Sequence, residues 1–323
     1  MEVFRSLNDL PTGFGSTVVA IGNFDGVHRG HQEIIQRVRE RATQLNARSI
    51  AVTFDPHPVH VLRPELAPKL ITPMQDRLRL LAETGLDATL VLPFTQEFSQ
   101  LSAFDFASGI LSNVLHSAEV HEGDNFRFGR GATAGIDDLK KLGQKLGFTV
   151  VAHNALIVRG IHVSSSQVRE RIAAGALSTA RALLGRPFSI HSTPARGRGI
   201  GSKLTVPTIN LAPYTELLPP NGVYITRLKI GDGSQTIIFN AVTNAGNRPT
   251  FGEDSYAIES YLLDYDPVGE PIDLTPETPL ELCFLSRIRD EQRFPSPEAL
   301  KTQILKDVAQ AQRYFRLVTA SQL

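Results

Sequence analysis

Cys283 is the only cysteine in 323 residues. A single thiol excludes an intramolecular disulfide framework and a cysteine-ligated metal, and it fits a reducing compartment. Net charge is missing too: 33 Lys plus Arg balance 33 Asp plus Glu, so the chain as a whole has no reason to bind nucleic acid or an anionic membrane non-specifically. Recognition of phosphate has to come from local arrangement. No apolar run approaches the ~20 residues of a membrane span, and the opening MEVFRSLNDL lacks the basic and then apolar order of a signal peptide. These absences predict a cytoplasmic protein without nucleic-acid or membrane partners, and they leave a homo-oligomer open. Internal repeats and low-complexity tracts are also lacking. What remains is ordinary: 41% hydrophobic and 20% charged residues suit a chain that folds into cores, and the length favours two domains at roughly 150 residues each.

From about residue 16 to 152, short β-branched runs alternate with longer amphipathic ones. STVVAIGNF, RSIAVTF, ATLVLPF, SAEVHEG and FTVVAH read as strands. Between them, HQEIIQRVRERATQL places Ile34, Ile35, Val38, Ala42 and Leu45 on one helical face. MQDRLRLLAETG, SAFDFASGILSNVL and DDLKKLGQKLG follow the same period. Strand and helix in repeated order predict a doubly wound α/β domain with a parallel sheet covered on both sides. SSSQVRERIAAGALSTARALLGRPF then reads as two short helices ending at Gly185-Arg186-Pro187, which places a domain boundary near 186. Beyond it GVYITRLKI, QTIIFNAVTN, AIESYLLDY and LELCFLSRI read as strands, with IGDGSQ as a hairpin turn. SPEALKTQILKDVAQAQRYF closes the chain as an amphipathic helix with Pro297 in its first turn. The second half is expected to be a small antiparallel barrel or sandwich with a terminal helix.

The segment VVAIGNFDGVHRGHQEII runs from a buried strand through the turn Gly22, Asn23, Phe24, Asp25 into a helix. A helix start at the carboxyl end of a parallel strand binds anions, because its N–H groups are free and its dipole is favourable. His28 and His31 are three apart, so a helix starting near residue 28 puts both imidazoles on one side of its first turn. Gly30 between them lets a phosphate approach the backbone. Such a pair can donate hydrogen bonds to a phosphate passing through its transition state, although the spacing also serves a metal or a surface pair. In VSSSQVR, Ser164 and Ser165 either hold phosphates or cap the helix, and Arg169 can fork onto phosphate oxygens. Asp55, Pro56, His57 and Pro58 form a rigid turn after a strand.

GNFDGVHRGH resembles the HxGH signature of the nucleotidyltransferase superfamily, in the form carried by bacterial FAD synthetases. These are the FMN adenylyltransferase half of bifunctional riboflavin kinase/FAD synthetases. TFDPHP, GDNFRFGRG and VSSSQVR match the same family in order, so the resemblance covers residues 16 to 170. It implies a Rossmann-like nucleotidyltransferase domain over residues 1–185. ATP would lie on Gly22, Asn23, Phe24, Asp25, Gly30, Ser164 and Ser165, with His28, His31 and Arg169 catalytic. The flavin would lie against Asp55, Pro56, His57, Pro58, Asn125 and Arg127, the Asn125 amide offering both donor and acceptor to an isoalloxazine edge. The implied reaction is attack by the phosphate of FMN on the α-phosphorus of ATP, which releases pyrophosphate. Its nucleophile is already ionised, so positioning and charge neutralisation matter more than a general base.

In the second half, GRGIGSKLTVPTINL carries a glycine loop with Gly197, Gly199 and Gly201, and Lys203 beside it. PTIN at 207–210 resembles the PTAN signature of riboflavin kinases, which implies that Thr208 and Asn210 help hold Mg²⁺ with the nucleotide phosphates. NAGNRPTF resembles another segment of that family, and Glu259 in AIESYLLDYD falls where its catalytic glutamate precedes an LLDF-like run. RIRDEQRFPSPEALKTQI matches the closing loop and helix. A riboflavin kinase barrel over 186–323 is thereby implied, with ATP, riboflavin, FMN and FAD as partners and Glu259 as the proton acceptor for a neutral ribityl hydroxyl. By spacing alone Glu259 is an outward-facing charge on an alternating strand. Three features depart from the family: Thr205 replaces a glycine, Pro194 is expected to break strand pairing, and PVGEPIDLTPETP replaces a D-L-Y-G element. Weaker substrate affinity is expected from these loops. The competing readings are an FAD synthetase with a weak or inactive kinase-like module, and a flavin-responsive binding protein. Retention of His28, His31, Arg169, Thr208, Asn210 and Glu259 argues against the latter.

Overall fold

The structure, a computed structural model, describes residues 1–195, 208–233, 236–247, 256–266, 269 and 271–320. Two compact units divide the chain, Met1–Val168 and Arg169–Leu323.

The first unit opens with β1 (Glu2–Phe4), β2 (Thr17–Ile21), α1 (Arg29–Leu45), β3 (Arg48–Asp55), α2 (Pro58–Leu62), α3 (Met74–Glu83) and β4 (Ala88–Pro93). Next come α4 (Ala103–Asp105), continued by a π-helical stretch Phe106–Val114, then β5 (Ser117–Gly123) and a small ribbon of β6 (Arg127–Phe128) with β7 (Ala134–Gly135). It closes with α5 (Ile136–Leu146), β8 (Thr149–His153) and a second ribbon, β9 (Ile157–Val158) with β10 (Ile161–His162). Six strands pair in parallel in the order β1-β4-β3-β2-β5-β8. Alternation along β2 explains the layers. Val18 and Ala20 face Ile35, Val38 and Ala42 of α1 and Leu80 and Leu81 of α3. Val19 and Ile21 face Phe106, Ile110 and Leu111 of the π-helical stretch and Leu139 of α5. Each large aliphatic side chain withdrawn from water contributes about 1.5–3 kcal/mol, so the sheet is held from both sides. The expected doubly wound α/β domain is present.

In the second unit, α6 (Ser165–Ala173) crosses the division and α7 (Leu177–Leu184) packs on β11 (Phe188–Ser192) and β17 (Leu280–Asp290). The remaining strands are β12 (Pro194–Ala195), β13 (Thr208–Leu211), β14 (Gly222–Ile230), β15 (Ile237–Asn247) and β16 (Tyr256–Leu262), with α8 (Pro297–Ala320) last. Seven strands pair antiparallel in the order β11-β17-β14-β15-β16-β13-β12 and form a half-barrel. One face buries Tyr224, Leu228, Ala241, Leu262, Leu282 and Phe284 around a chain of hydroxyls: Thr226 to Thr243 at 2.7 Å and Thr243 to Ser260 at 2.8 Å. Ala311 and Phe315 of α8 cover Val223, Ile225 and Val242 on the opposite face. Arg289 binds Asp307 at 2.9 Å and 3.0 Å, tying α8 to β17.

One expectation, that for Pro194, is revised. Leu177, Ala180, Leu183 and Leu184 are buried and α7 packs on β11 and β17, while the two compact units part after Val168. Gly185-Arg186-Pro187 follows the end of α7, where Gly185 takes the left-handed cap with φ 78°. Pro194 does not break pairing: it lies on the edge strand β12 opposite Leu211, where a missing N–H is tolerated. Among the described residues no helix is long and apolar enough to cross a membrane.

Cys283 is buried in β17 beside Glu281, whose carboxyl burial alone would raise but which hydrogen bonds from His191 and Lys229 hold well below the usual range. Burial first, and then the Glu281 charge, push the thiol up to about 12. Since only the thiolate is nucleophilic, Cys283 should resist iodoacetamide at pH 8 in the native chain and react readily in urea. Mass spectrometry showing equal labelling in both conditions would contradict this burial.

Candidate active sites

Because the strands of the first sheet are parallel, every segment that follows a strand emerges at one edge. Gly22–His28 follows β2, Pro56–Pro58 follows β3 and Asp124–Arg127 follows β5, and β2 lies between β3 and β5. Connections run away in opposite directions on either side of β2 and β5, which makes their carboxyl ends a topological switch point. Three of the four sequence segments singled out therefore converge. The fourth joins them through Ser165, whose hydroxyl donates to the Asp25 carbonyl at 2.8 Å.

α1 begins at Arg29 with His28 as its N-cap. The His28 Nδ1 accepts the His31 N–H at 3.3 Å, which assigns the imidazole proton to Nε2. The two rings stack with centroids 3.6 Å apart and 15° between planes, so the shared first turn expected from their spacing is present. Phe24 packs edge-on against His31 at 5.1 Å. Burial, followed by the charges of His28 and Arg77, lowers the His31 pKa well below the ordinary value, which makes it a neutral group at pH 7. Its buried Nδ1 has no hydrogen-bond partner among the described residues. Imidazole N–H groups at a helix start, with His31 neutral, are suited to donate to an anion.

The preceding loop is strained. Phe24 and Val27 sit at φ 48° and 38°, where non-glycine residues cost on the order of 1–3 kcal/mol, and Gly26 lies between them at φ 83°. Asp25 is fully buried, and its carboxylate accepts the N–H groups of Ile71 at 3.1 Å and Thr72 at 2.9 Å. It thus anchors the loop, whereas the sequence assigned it to the nucleotide. Gly22 donates its N–H to Val52, the Asn23 carbonyl accepts from Thr53, and Gly30 lies against the His28 ring. Ser164 caps α6 through the Gln167 N–H at 3.3 Å, and Arg169 follows Ser165 by one turn of that helix. His57 is buried and caps α2, accepting from the Val59 N–H, while Asp55, Pro56, Asn125 and Arg127 are exposed at the sheet edge.

Sequence reasoning missed three residues here. Arg77 is 1% exposed, although a charge in MQDRLRLL reads as a solvated face; its place three and four residues before the buried Leu80 and Leu81 was the available signal. Thr72 carried no signal. Glu122 is buried at the switch point, where its Oε1 accepts the Ile21 N–H at 2.6 Å and burial raises its pKa well above the ordinary value.

In the second unit, register places Asn210 of β13, Glu259 of β16 and Asn244 of β15 in one row across three strands. Thr208 is two residues before Asn210 and shares its side. Alternation puts this row opposite Leu211, Ile258, Ser260 and Thr243 of the buried face, on the side that α8 covers further along β14 and β15. Asn210 is buried, Glu259 half-buried and Asn244 exposed. One carboxylate flanked by two amides is a polar cluster with hard oxygen donors. Gly197, Gly199, Gly201, Lys203 and Thr205 lie outside the described residues.

Comparison with known proteins covers both units. The FAD synthetase family model matches residues 12–167 and the riboflavin kinase family model matches residues 184–315. A bifunctional riboflavin kinase/FMN adenylyltransferase of Pseudomonas fluorescens is 39% identical over 96% of this chain and 97% of its own length. The protein of that name from Escherichia coli strain K12 is 34% identical over 98% of this chain and 99% of its own. A solved structure described as a macrolide-efflux protein from Streptococcus pneumoniae is similar with a TM-score of 0.84 at 24% identity, covering 96% of this chain and 98% of that one, which supports the fold. With relatives matched along nearly their whole length and both domain models satisfied, the chain belongs to the bifunctional riboflavin kinase/FMN adenylyltransferase family.

Proposed function

We propose that residues 186–323 phosphorylate riboflavin to FMN with ATP and that residues 1–185 adenylylate FMN to FAD with a second ATP, in the cytoplasm and with Mg²⁺. The observation that carries the reading is the stacked His28–His31 pair capping α1 at the switch point, where the segments after β2, β3 and β5 meet.

In adenylyl transfer, a phosphate oxygen of FMN bonds to the α-phosphorus of ATP as the bond from that phosphorus to the α,β-bridging oxygen breaks and pyrophosphate leaves with that oxygen. His28 donates through Nε2–H, and neutral His31 donates beside it, to the oxygens that gain charge. Gly22, Asn23, Phe24, Gly30, Ser164, Ser165 and Arg169 hold ATP, Asp25 acting through the loop it anchors. Asp55–Pro58, Asn125 and Arg127 receive the flavin. No proton acceptor is needed because the nucleophile is an ionised phosphate.

Phosphorylation of riboflavin differs in its nucleophile, a neutral hydroxyl. Glu259 takes the proton of the ribityl 5′-hydroxyl while the oxygen attacks the γ-phosphorus and ADP leaves. The Thr208 hydroxyl and Asn210 carboxamide are the hard oxygen donors that suit Mg²⁺, a cation that binds through few protein groups plus substrate phosphates. When bound there, Mg²⁺ would neutralise phosphate charge. Gly197, Gly201 and Lys203 complete the nucleotide site in this reading.

The two chemistries should separate by mutation. His28→Ala or His31→Ala is expected to lower FAD formation from FMN by a factor on the order of 10² to 10³ while FMN formation survives. Glu259→Gln is expected to lower FMN formation by roughly 10² or more with flavin binding little changed and FAD formation from added FMN intact. Chromatography of flavin products checks both. Near-normal FAD synthesis by the double alanine variant, or near-normal kinase turnover by Glu259→Gln, would sink the corresponding assignment.

A fragment of residues 1–185 should make FAD from FMN and no FMN from riboflavin. If it is folded by circular dichroism yet inactive on FMN, the division of labour is wrong.

A further inference from the structure

We propose that Thr72 is a positioning residue for adenylyl transfer: its hydroxyl locks the strained loop that carries His28 against the segment leading into α3. The proposal rests on the reading of the first unit as the adenylyltransferase. Thr72 belongs to none of the sequence segments assigned to either substrate.

The contacts are specific. Thr72 Oγ1 donates to Asp25 Oδ1 at 3.2 Å and accepts the Gly26 N–H at 2.9 Å. The Thr72 N–H donates to the same Oδ1 at 2.9 Å, and the Ile71 N–H donates to Oδ2 at 3.1 Å. Ser165 donates to the Asp25 carbonyl, so the starts of α3 and α6 are both fastened to one residue of the loop. Thr72 is 5% exposed and Asp25 is fully buried, so little water reaches these bonds. A side chain that donates and accepts within that volume has to be a hydroxyl.

This clamp acts where the chain is under strain. Phe24, Gly26 and Val27 all hold positive φ, and Gly26, the middle one, is the residue whose N–H Thr72 accepts. Val27 leads directly into His28, the cap of α1. On its other side, the Thr72 carbonyl accepts from Arg77 Nη2 at 3.4 Å, and the charge of Arg77 is one of the influences that keep His31 neutral. Thr72 thereby ties the geometry of one histidine to the electrostatics of the other. Removing the hydroxyl lets the loop relax towards ordinary φ and shifts His28 relative to the reacting phosphate. Displacements of about 1 Å cost on the order of 10²-fold in rate.

The test uses the full chain with Thr72→Val, which keeps the shape, and Thr72→Ser, which keeps the hydroxyl. In steady-state conversion of FMN to FAD, Thr72→Val should lower kcat by a factor on the order of 10 to 10² with KM for FMN and ATP changed by less than about threefold. Thr72→Ser should restore kcat, and both variants should convert riboflavin to FMN at the wild-type rate. Wild-type kcat in Thr72→Val, or a Thr72→Ser as impaired as Thr72→Val, would overturn the proposal. If Thr72→Val does not fold, amide hydrogen exchange of the wild-type chain decides: the Gly26, Ile71 and Thr72 amides should be protected, and rapid exchange of all of them overturns the clamp. A wild-type chain that forms no FAD would instead defeat the reading of the first unit, and the exchange measurement would still judge the clamp.

Discussion

The conformation of the loop between β2 and α1 is the constraint on which the first site depends. A parallel strand that ends in a buried core and a helix that starts at its carboxyl end leave the backbone little length to turn, and the turn is made through left-handed φ at Phe24, Gly26 and Val27. Strain of that kind persists only where the surroundings over-determine it. Here the Asp25 carboxylate, satisfied by backbone N–H groups of Ile71 and Thr72, supplies that determination, while the Phe24 and Val27 side chains are buried in the α1 core. With the loop fixed, His28 caps the helix, His31 stacks on it, and the free end of the helix points a favourable field at the edge where the other segments arrive.

The second unit solves a different problem on a different architecture. Its buried face is completed by a chain of hydroxyls that satisfy one another, and the candidate site lies on the opposite face. That face is covered by α8 where Val223, Ile225 and Val242 need burial, and carries Asn210, Glu259 and Asn244 in one row. In the proposed function this contrast in composition matches the nucleophiles: an ionised phosphate calls for hydrogen-bond donors, and a neutral hydroxyl calls for a carboxylate.

Much of this was legible in the sequence because it rests on local rules. Periods of 2 and 3.6 located β2, β3, β4, β5 and β8 of the first sheet, β14 to β17 of the second and the helices that cover them, whereas the short strands β1 and β11 to β13 were too brief to show a period. The three-residue spacing of His28 and His31 predicted their shared turn. Contacts distant in sequence were not legible. Thr72 meets Asp25 and Gly26 across a separation of 46 to 47 residues, and nothing in LITPMQDR announces it. The resemblance placed Asp25 with the nucleotide; its carboxylate accepts from the Ile71 and Thr72 N–H groups and from the Thr72 hydroxyl, contacts no local pattern announces. Ser164 caps α6, a role its spacing already allowed beside phosphate binding, and His57 caps α2, which its place in a Pro-rich turn did not announce.

The account's central claim is that one chain carries two consecutive phosphate chemistries on two separate sets of residues. The most direct test is a chromatographic time course of the wild-type chain with riboflavin, ATP and Mg²⁺, following all three flavins together with ADP and pyrophosphate. FMN should appear first with ADP in step, then fall as FAD rises with pyrophosphate in step. Riboflavin that stays unconverted at saturating ATP, or FMN that accumulates without any FAD, would contradict the account.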